Sequence, residues 1–118
     1  MPGISIHVVD ISRGIVARGM RAELWSAADG GPFARLLDGA IDTTGLLIHP
    51  DLDRTFAAGR YRAVFHVGTY YRSEGIASGA YPFLEIVHFD FGISVPEQHL
   101  HLPFKCTPWG YSCFRGGA

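Results

Sequence analysis

The chain has 118 residues, 47% of them hydrophobic and 18% charged, with a formal net charge of −1. That length suits a single domain over residues 1–118, able to bury about two-thirds of its unfolded surface in one core. The near-neutral balance argues against nucleic acid or an anionic membrane as main partner, and no apolar run approaches the roughly 18–20 residues that span a bilayer.

In chain order, residues 4–10 alternate Ile4, Ile6 and Val8 against Ser5, His7 and Val9, the pattern of a half-buried strand. Residues 12–19 read as a loop. A second strand follows over 20–26, with Met20, Ala22 and Leu24 on its apolar face and Arg21, Glu23 and Trp25 on the other. The turn signal Ala28-Asp29-Gly30-Gly31-Pro32 leads into a third strand over 33–41, and Asp42-Thr43-Thr44-Gly45 turns into a short strand over 46–49 that Pro50 ends. Residues 51–54 read as a loop and 59–67 as a strand rich in β-prone bulk. The one plausible helix is a short one over 69–75. Strands over 83–91, 98–106 and 110–115 complete a set of about eight, with turns every 8–12 residues. This is the signature of an all-β sandwich or barrel.

His99-Leu100-His101-Leu102 alternates strictly, so both imidazoles leave one face of a strand while Leu100, Leu102 and Phe104 leave the other. Such a pair could chelate zinc if a third ligand such as His7 joined it, though no residue in the sequence fixes that ligand. His7 lies on the outward face of the first strand. His49 reads as a solvated turn residue, and His66 and His88 as structural or surface histidines. Cys106 and Cys113 are too few for a disulfide scaffold and read as free thiols. They flank a tight turn with no helix N-terminus to activate them, and Ser112 lacks the strand–turn–helix elbow of a serine hydrolase. The opening MPGISIHVVD carries no basic region followed by an apolar stretch, so a cytoplasmic location is expected. The surplus of apolar residues suggests a subunit interface.

Four segments together resemble the 5-hydroxyisourate hydrolases, the enzymatic relatives of transthyretin. Ile6-His7-Val8-Val9-Asp10 resembles that family's His-Val-Leu-Asp motif, and Gly59-Arg60-Tyr61-Arg62 with Tyr70-Tyr71 its Gly-x-Tyr strand and short helix. Glu97-Gln98-His99-Leu100-His101-Leu102-Pro103 is similar to its His-Tyr-His-Val-Pro stretch. Pro108-Trp109-Gly110-Tyr111-Ser112-Cys113-Phe114-Arg115-Gly116 is similar to its Ser-Pro-Phe-Gly-Tyr-Ser-Thr-Tyr-Arg-Gly-Ser ending. The last two motifs in combination are highly specific.

The resemblance implies an eight-stranded transthyretin-like β-sandwich of two four-stranded sheets, assembled as a homotetramer, a dimer of dimers. Its active sites would lie in a channel at the dimer–dimer interface, lined by the first, seventh and eighth strands. The implied partner is a small-molecule substrate, and no metal or cofactor is required. His7 and His101 match the catalytic pair that would deprotonate water and handle the proton on the leaving nitrogen of a cyclic ureide, with the two rings converging across a subunit seam. His99, Ser112, Phe114, Arg115, Gly117 and Leu46 match substrate-binding positions.

Two departures stand out. Leu46 occupies the position of a family arginine, and Phe114-Arg115-Gly116-Gly117 stands where the family has Tyr-Arg-Gly-Ser. An isobutyl group in place of a guanidinium removes up to five donors and one charge. An N-methylated 5-hydroxyisourate, which lacks donors at its ring edges, suits such a pocket as well as the unmethylated compound. A rescue by His49 requires it to reach the site, yet it falls on the opposite face from Leu46 in a regular strand. The contrasting possibility is a non-catalytic, transthyretin-like small-molecule binding protein. The presence of His7 and His101 together speaks against it, because an apolar carrier channel has no use for two facing bases.

Overall fold

In the computed structural model, which describes residues 2–76 and 79–117, eight strands form two four-stranded sheets. The first sheet has the order β2 (Ile15–Val16), β1 (Ile4–Asp10), β7 (Leu100–Thr107), β8 (Gly110–Cys113). The second has the order β4 (Phe33–Ala40), β3 (Arg21–Ala27), β5 (Gly59–Phe65), β6 (Val87–Ile93). One α-helix, α1 (Val67–Ser73), follows β5, and a 3₁₀ turn covers Pro50–Asp53. No helix among the described residues is long and apolar enough to cross a membrane.

The period-two rows decide which faces meet. Ile4, Ile6 and Val8 of β1 and Leu100, Leu102 and Phe104 of β7 are buried, as are Ala22 and Leu24 of β3 and Ala63 and Phe65 of β5. Removing those rows from water drives the two sheets together. At the centre the Phe65 and Phe104 rings stack at 3.9 Å with planes 6° apart, joining one sheet to the other. β1 runs parallel to β7, with Ile4 opposite Leu100 and Asp10 opposite Cys106, while every other strand pair is antiparallel.

Departures from the expected elements have local causes. The expected loop over 12–19 contains β2, which pairs with Val9 and Asp10 at the far end of β1. The expected strand over 46–49 is reduced to two isolated bridges, His7 with Leu46 and Ile41 with Leu47. Pro50 and the capping of Asp51 N–H by the His49 ring, at 3.1 Å, then start the 3₁₀ turn where a loop was expected. The strand expected over 83–91 begins only at Val87. Its first residues cross over α1, where the Gly68 amide donates to the Glu85 carbonyl at 2.9 Å, so they cannot join the β5 ladder.

The sequence Val9-Asp10 ends β1 on a carboxylate with no exposed surface. Burial alone would raise its pKa, but hydrogen bonds donated by Ser12 (2.5 Å), Arg13 (2.8 Å) and Tyr71 (2.7 Å) outweigh that and hold it below the usual carboxylate range. Arg13 also reaches the Tyr70 hydroxyl and Glu74, so one carboxylate ties the end of β1 to α1. Asp10→Ala is expected to destabilise the fold by about 3–5 kcal/mol, because it strands the guanidinium and the Tyr71 hydroxyl without their acceptor. A depressed carboxylate contributes stability above its ordinary pKa and loses that contribution as pH falls through the lower folded value. Urea unfolding should therefore show a large gap between wild type and Asp10→Ala at neutral pH that narrows in acid.

Candidate active site

The parallel β1–β7 ladder sets Ser5 opposite His101 and His7 opposite Pro103. Since Ile4, Ile6, Leu100 and Leu102 face the core, Ser5, His7, His99 and His101 all emerge on the outer face of the first sheet. His7 and His101 are thus near neighbours on adjacent strands of one chain. Their shared face does not depend on a subunit seam.

Ser5 lies between two rings, its Oγ 2.6 Å from Nδ1 of His101 and 2.8 Å from Nε2 of His99. The Nε2 of His7 is 3.1 Å from the Thr44 carbonyl oxygen. A carbonyl only accepts, so His7 carries a proton on Nε2, and its Nδ1 holds the free lone pair when the ring is neutral. His101 has its pKa lowered by burial and, secondarily, by the nearby imidazoles of His7 and His99. Each of these disfavours adding a positive charge.

Two glycines let the backbone close on these rings. Gly45 has φ +88° in the turn built by Asp42, whose carboxylate accepts from the amides of Thr44 and Leu46. A Cβ there would stand 2.6 Å from His7 Nε2. Beyond β8, the Gly116 amide donates to the His101 carbonyl at 2.8 Å, and a Cβ on Gly116 would stand 2.8 Å from the His101 ring. Both positions require glycine for close approach.

Leu46 bridges His7 and so shares its outward face, beside Ser5. It lines a hollow of about 450 Å³ with Ser5, Ile48, His49 and Pro50 among its walls. His49 was expected on the opposite face from Leu46. Both border the same hollow, because the chain leaves strand geometry after Leu47. Phe114 stands near the Lys105 ammonium, 5.7 Å from its ring centre. Ser112 pairs with Lys105, four residues along β7 from His101 or roughly 13 Å away, so within one chain it stands apart from the imidazoles. Arg115 donates to Gln98 at 3.1 Å and borders a small hollow with Leu100, whose side chain faces the core. Its neighbour Gly116 lies against His101, while the Arg115 guanidinium is engaged by Gln98. Around Gly117 an added Cβ would meet nothing within 4 Å.

His88 on β6 and His66, between β5 and α1, line a separate hollow with Glu23 and Trp25. His66 is paired with Glu23. Burial opposes ionisation of Glu23, but hydrogen bonds from His66 and Trp25 keep its pKa below the usual value. Among the described residues, no three His, Cys, Asp or Glu side chains are grouped so as to hold one metal ion. Cys106 is buried with its pKa pushed up to about 11, and Cys113 to about 12, chiefly by burial, which leaves both poor nucleophiles. Sequence reasoning missed Ser5, Thr44, Gly45 and Gly116 as parts of the site. Ser5 was the recoverable one, since the alternation that singles out His7 places Ser5 on the same row.

A family model described as HIUase/Transthyretin matches residues 4–116. A 5-hydroxyisourate hydrolase of Halalkalibacterium halodurans is 36% identical over 114 residues, covering 96% of this chain and 96% of that protein. The solved structure of Klebsiella pneumoniae 5-hydroxyisourate hydrolase superposes with a TM-score of 0.80 at 29% identity, covering 99% of this chain and 100% of that one. The same fold lies within a structure of (S)-allantoin synthase, with a TM-score of 0.87 and 29% identity. This chain is matched over 98% of its length there, but spans only 43% of that longer protein.

By NMR titration, the His101 imidazole is expected to stay neutral to lower pH than a free imidazole. His7→Gln should move its midpoint upward, because one of the repulsive neighbours is then gone.

Proposed function

The chain belongs to the HIUase/transthyretin family, and on that premise we propose that it is a hydrolase that opens the ring of 5-hydroxyisourate, or of an N-methylated analogue, in urate or methylurate catabolism. The observation that carries this reading is the row Ser5, His7 and His101 on one sheet face, with a defined nitrogen left free on each imidazole. His101 is bonded through Nδ1, so Nε2 is its working nitrogen. Its lowered pKa keeps it unprotonated near neutrality, which suits it to take a proton from water. The oxygen of that water bonds to a ring carbonyl carbon, and the carbon–nitrogen bond of the ureide then breaks. The departing nitrogen takes a proton from Nδ1 of protonated His7, whose Nε2–H stays on the Thr44 carbonyl throughout. Solvent returns the proton from His101 to His7.

Substrate choice centres on Leu46. Its side chain, with Ile48 and Pro50, makes an apolar stretch of the hollow beside Ser5, where ring N-methyl groups would be accommodated; His49 and Asp53 line the same hollow. A trimethylated 5-hydroxyisourate is the favoured substrate in this reading. Arg115, Ser112, Phe114 and Gly117 would reach the substrate through assembly of a dimer of dimers in the cytoplasm. The exposure of Trp109, Tyr111 and Phe114 (71%, 50% and 44%) supplies apolar surface for such an assembly.

His101→Ala should abolish ring opening by direct spectrophotometric assay while leaving thermal stability nearly unchanged, since the imidazole points away from the core. Retained turnover would remove His101 from the chemistry, and no ring opening by wild type would remove the hydrolase reading. Leu46→Arg should raise kcat/KM for the unmethylated compound relative to the trimethylated one by at least about tenfold, the worth of one charge-assisted hydrogen bond. Equal wild-type rates on the two compounds would remove the case for a methylated substrate.

A further inference from the structure

Beyond the two catalytic histidines, the geometry points to Ser5 as a positioning residue that couples His99 to His101 as a single proton-carrying unit. This rests on the hydrolase reading above and deepens it. Ser5 Oγ is within hydrogen-bond reach of Nε2 of His99 and Nδ1 of His101 at once. A hydroxyl has one proton, so it donates to one ring and must accept an N–H from the other. The two tautomers are therefore linked. When His101 donates from Nδ1 and Ser5 donates to His99, the Nε2 of His101 is a bare lone pair. When the chain of donors runs the other way, the Nε2 of His101 carries a proton.

The first arrangement is the one able to take a proton from water. Once His101 has accepted it on Nε2, the ring is an imidazolium with protons on both nitrogens. Its Nδ1 proton passes to Ser5 Oγ as the Ser5 proton passes to Nε2 of His99. The positive charge then sits on His99 and the donor chain has reversed, with no heavy atom moved and no proton gained or lost by the three residues. His101 is left neutral beside the tetrahedral centre. Reversal of the same two transfers returns the charge to His101 after ring opening, and loss of its Nε2 proton to solvent then restores the starting state. Ser5 is held for this by the β1–β7 register, which places it directly opposite His101. Its neighbour Ile4 is 3% exposed, so the backbone that carries it is anchored in the core. The titratable groups facing the unit are His7 on β1 and, across the hollow beside Ser5, His49 and Asp53.

The test uses Ser5→Ala, Ser5→Thr, His99→Gln and the Ser5→Ala/His99→Gln double variant in the full chain. Ser5→Ala is expected to lower kcat by at least about tenfold with little change in KM, and Ser5→Thr to restore kcat to within about threefold. His99→Gln should slow wild type yet have little further effect on Ser5→Ala, because both changes interrupt one chain. Imidazole ¹⁵N shifts should show one dominant tautomer of His101 in wild type and a mixture in Ser5→Ala. Additive losses from Ser5→Ala and His99→Gln would overturn the coupling. So would Ala and Thr variants that are equally slow and equally folded, or ¹⁵N shifts unchanged by Ser5→Ala. If wild type opens neither ring, the hydrolase reading fails by itself, while the ¹⁵N comparison still decides whether Ser5 links the two tautomers.

Discussion

The parallel pairing of β1 with β7 is the constraint on which the rest depends. Its register places two alternating rows back to back. Ile4, Ile6 and Val8 with Leu100, Leu102 and Phe104 fill the space between the sheets, while Ser5, His7, His99 and His101 stand on the far side. A shift of one residue in either strand would exchange the rows and put imidazoles into the core. The apolar row therefore fixes the polar one. Core burial, which stabilises the sandwich, also sets the spacing of the ionisable groups on its surface.

Around that ladder, short backbone features refine each group. Asp42 folds the turn that carries Thr44 to His7, and Gly45 lets the turn come closer to the ring than any other residue would permit. Gly116 does the same for His101 from the chain following β8. At the other end of β1, Asp10 collects donors from Ser12, Arg13 and Tyr71 and fastens the strand to α1. The His7 and His101 rings are thus held by Thr44 and Ser5 and closely approached by two glycines.

A sheet face of this kind supports either binding or catalysis, depending on what occupies a few outward positions. Here Ser5, bonded to His101, borders a hollow whose walls include the apolar Leu46, Ile48 and Pro50 beside His49 and Asp53. Polar groups and an apolar margin side by side can meet different parts of one small molecule.

Read alone, the sequence determined the alternation of strands 4–10, 20–26 and 98–106, and hence which side chains face inward, because a period of two survives any docking of the strands. It also determined the outward direction of His7, His99 and His101 and, by resemblance, the sandwich family. Only tertiary structure decided what lies beside them. The bond from Ser5 to His101 joins residues 96 apart in sequence, and the contact of Thr44 with His7 spans 37. Neither leaves a local pattern. The segment after Gly45 reads as a strand by composition, yet it pairs with β1 only around Leu46 before Pro50 and the His49-capped 3₁₀ turn lead the chain away. That departure brings His49 and Leu46 to one hollow, a placement that strand alternation forbids.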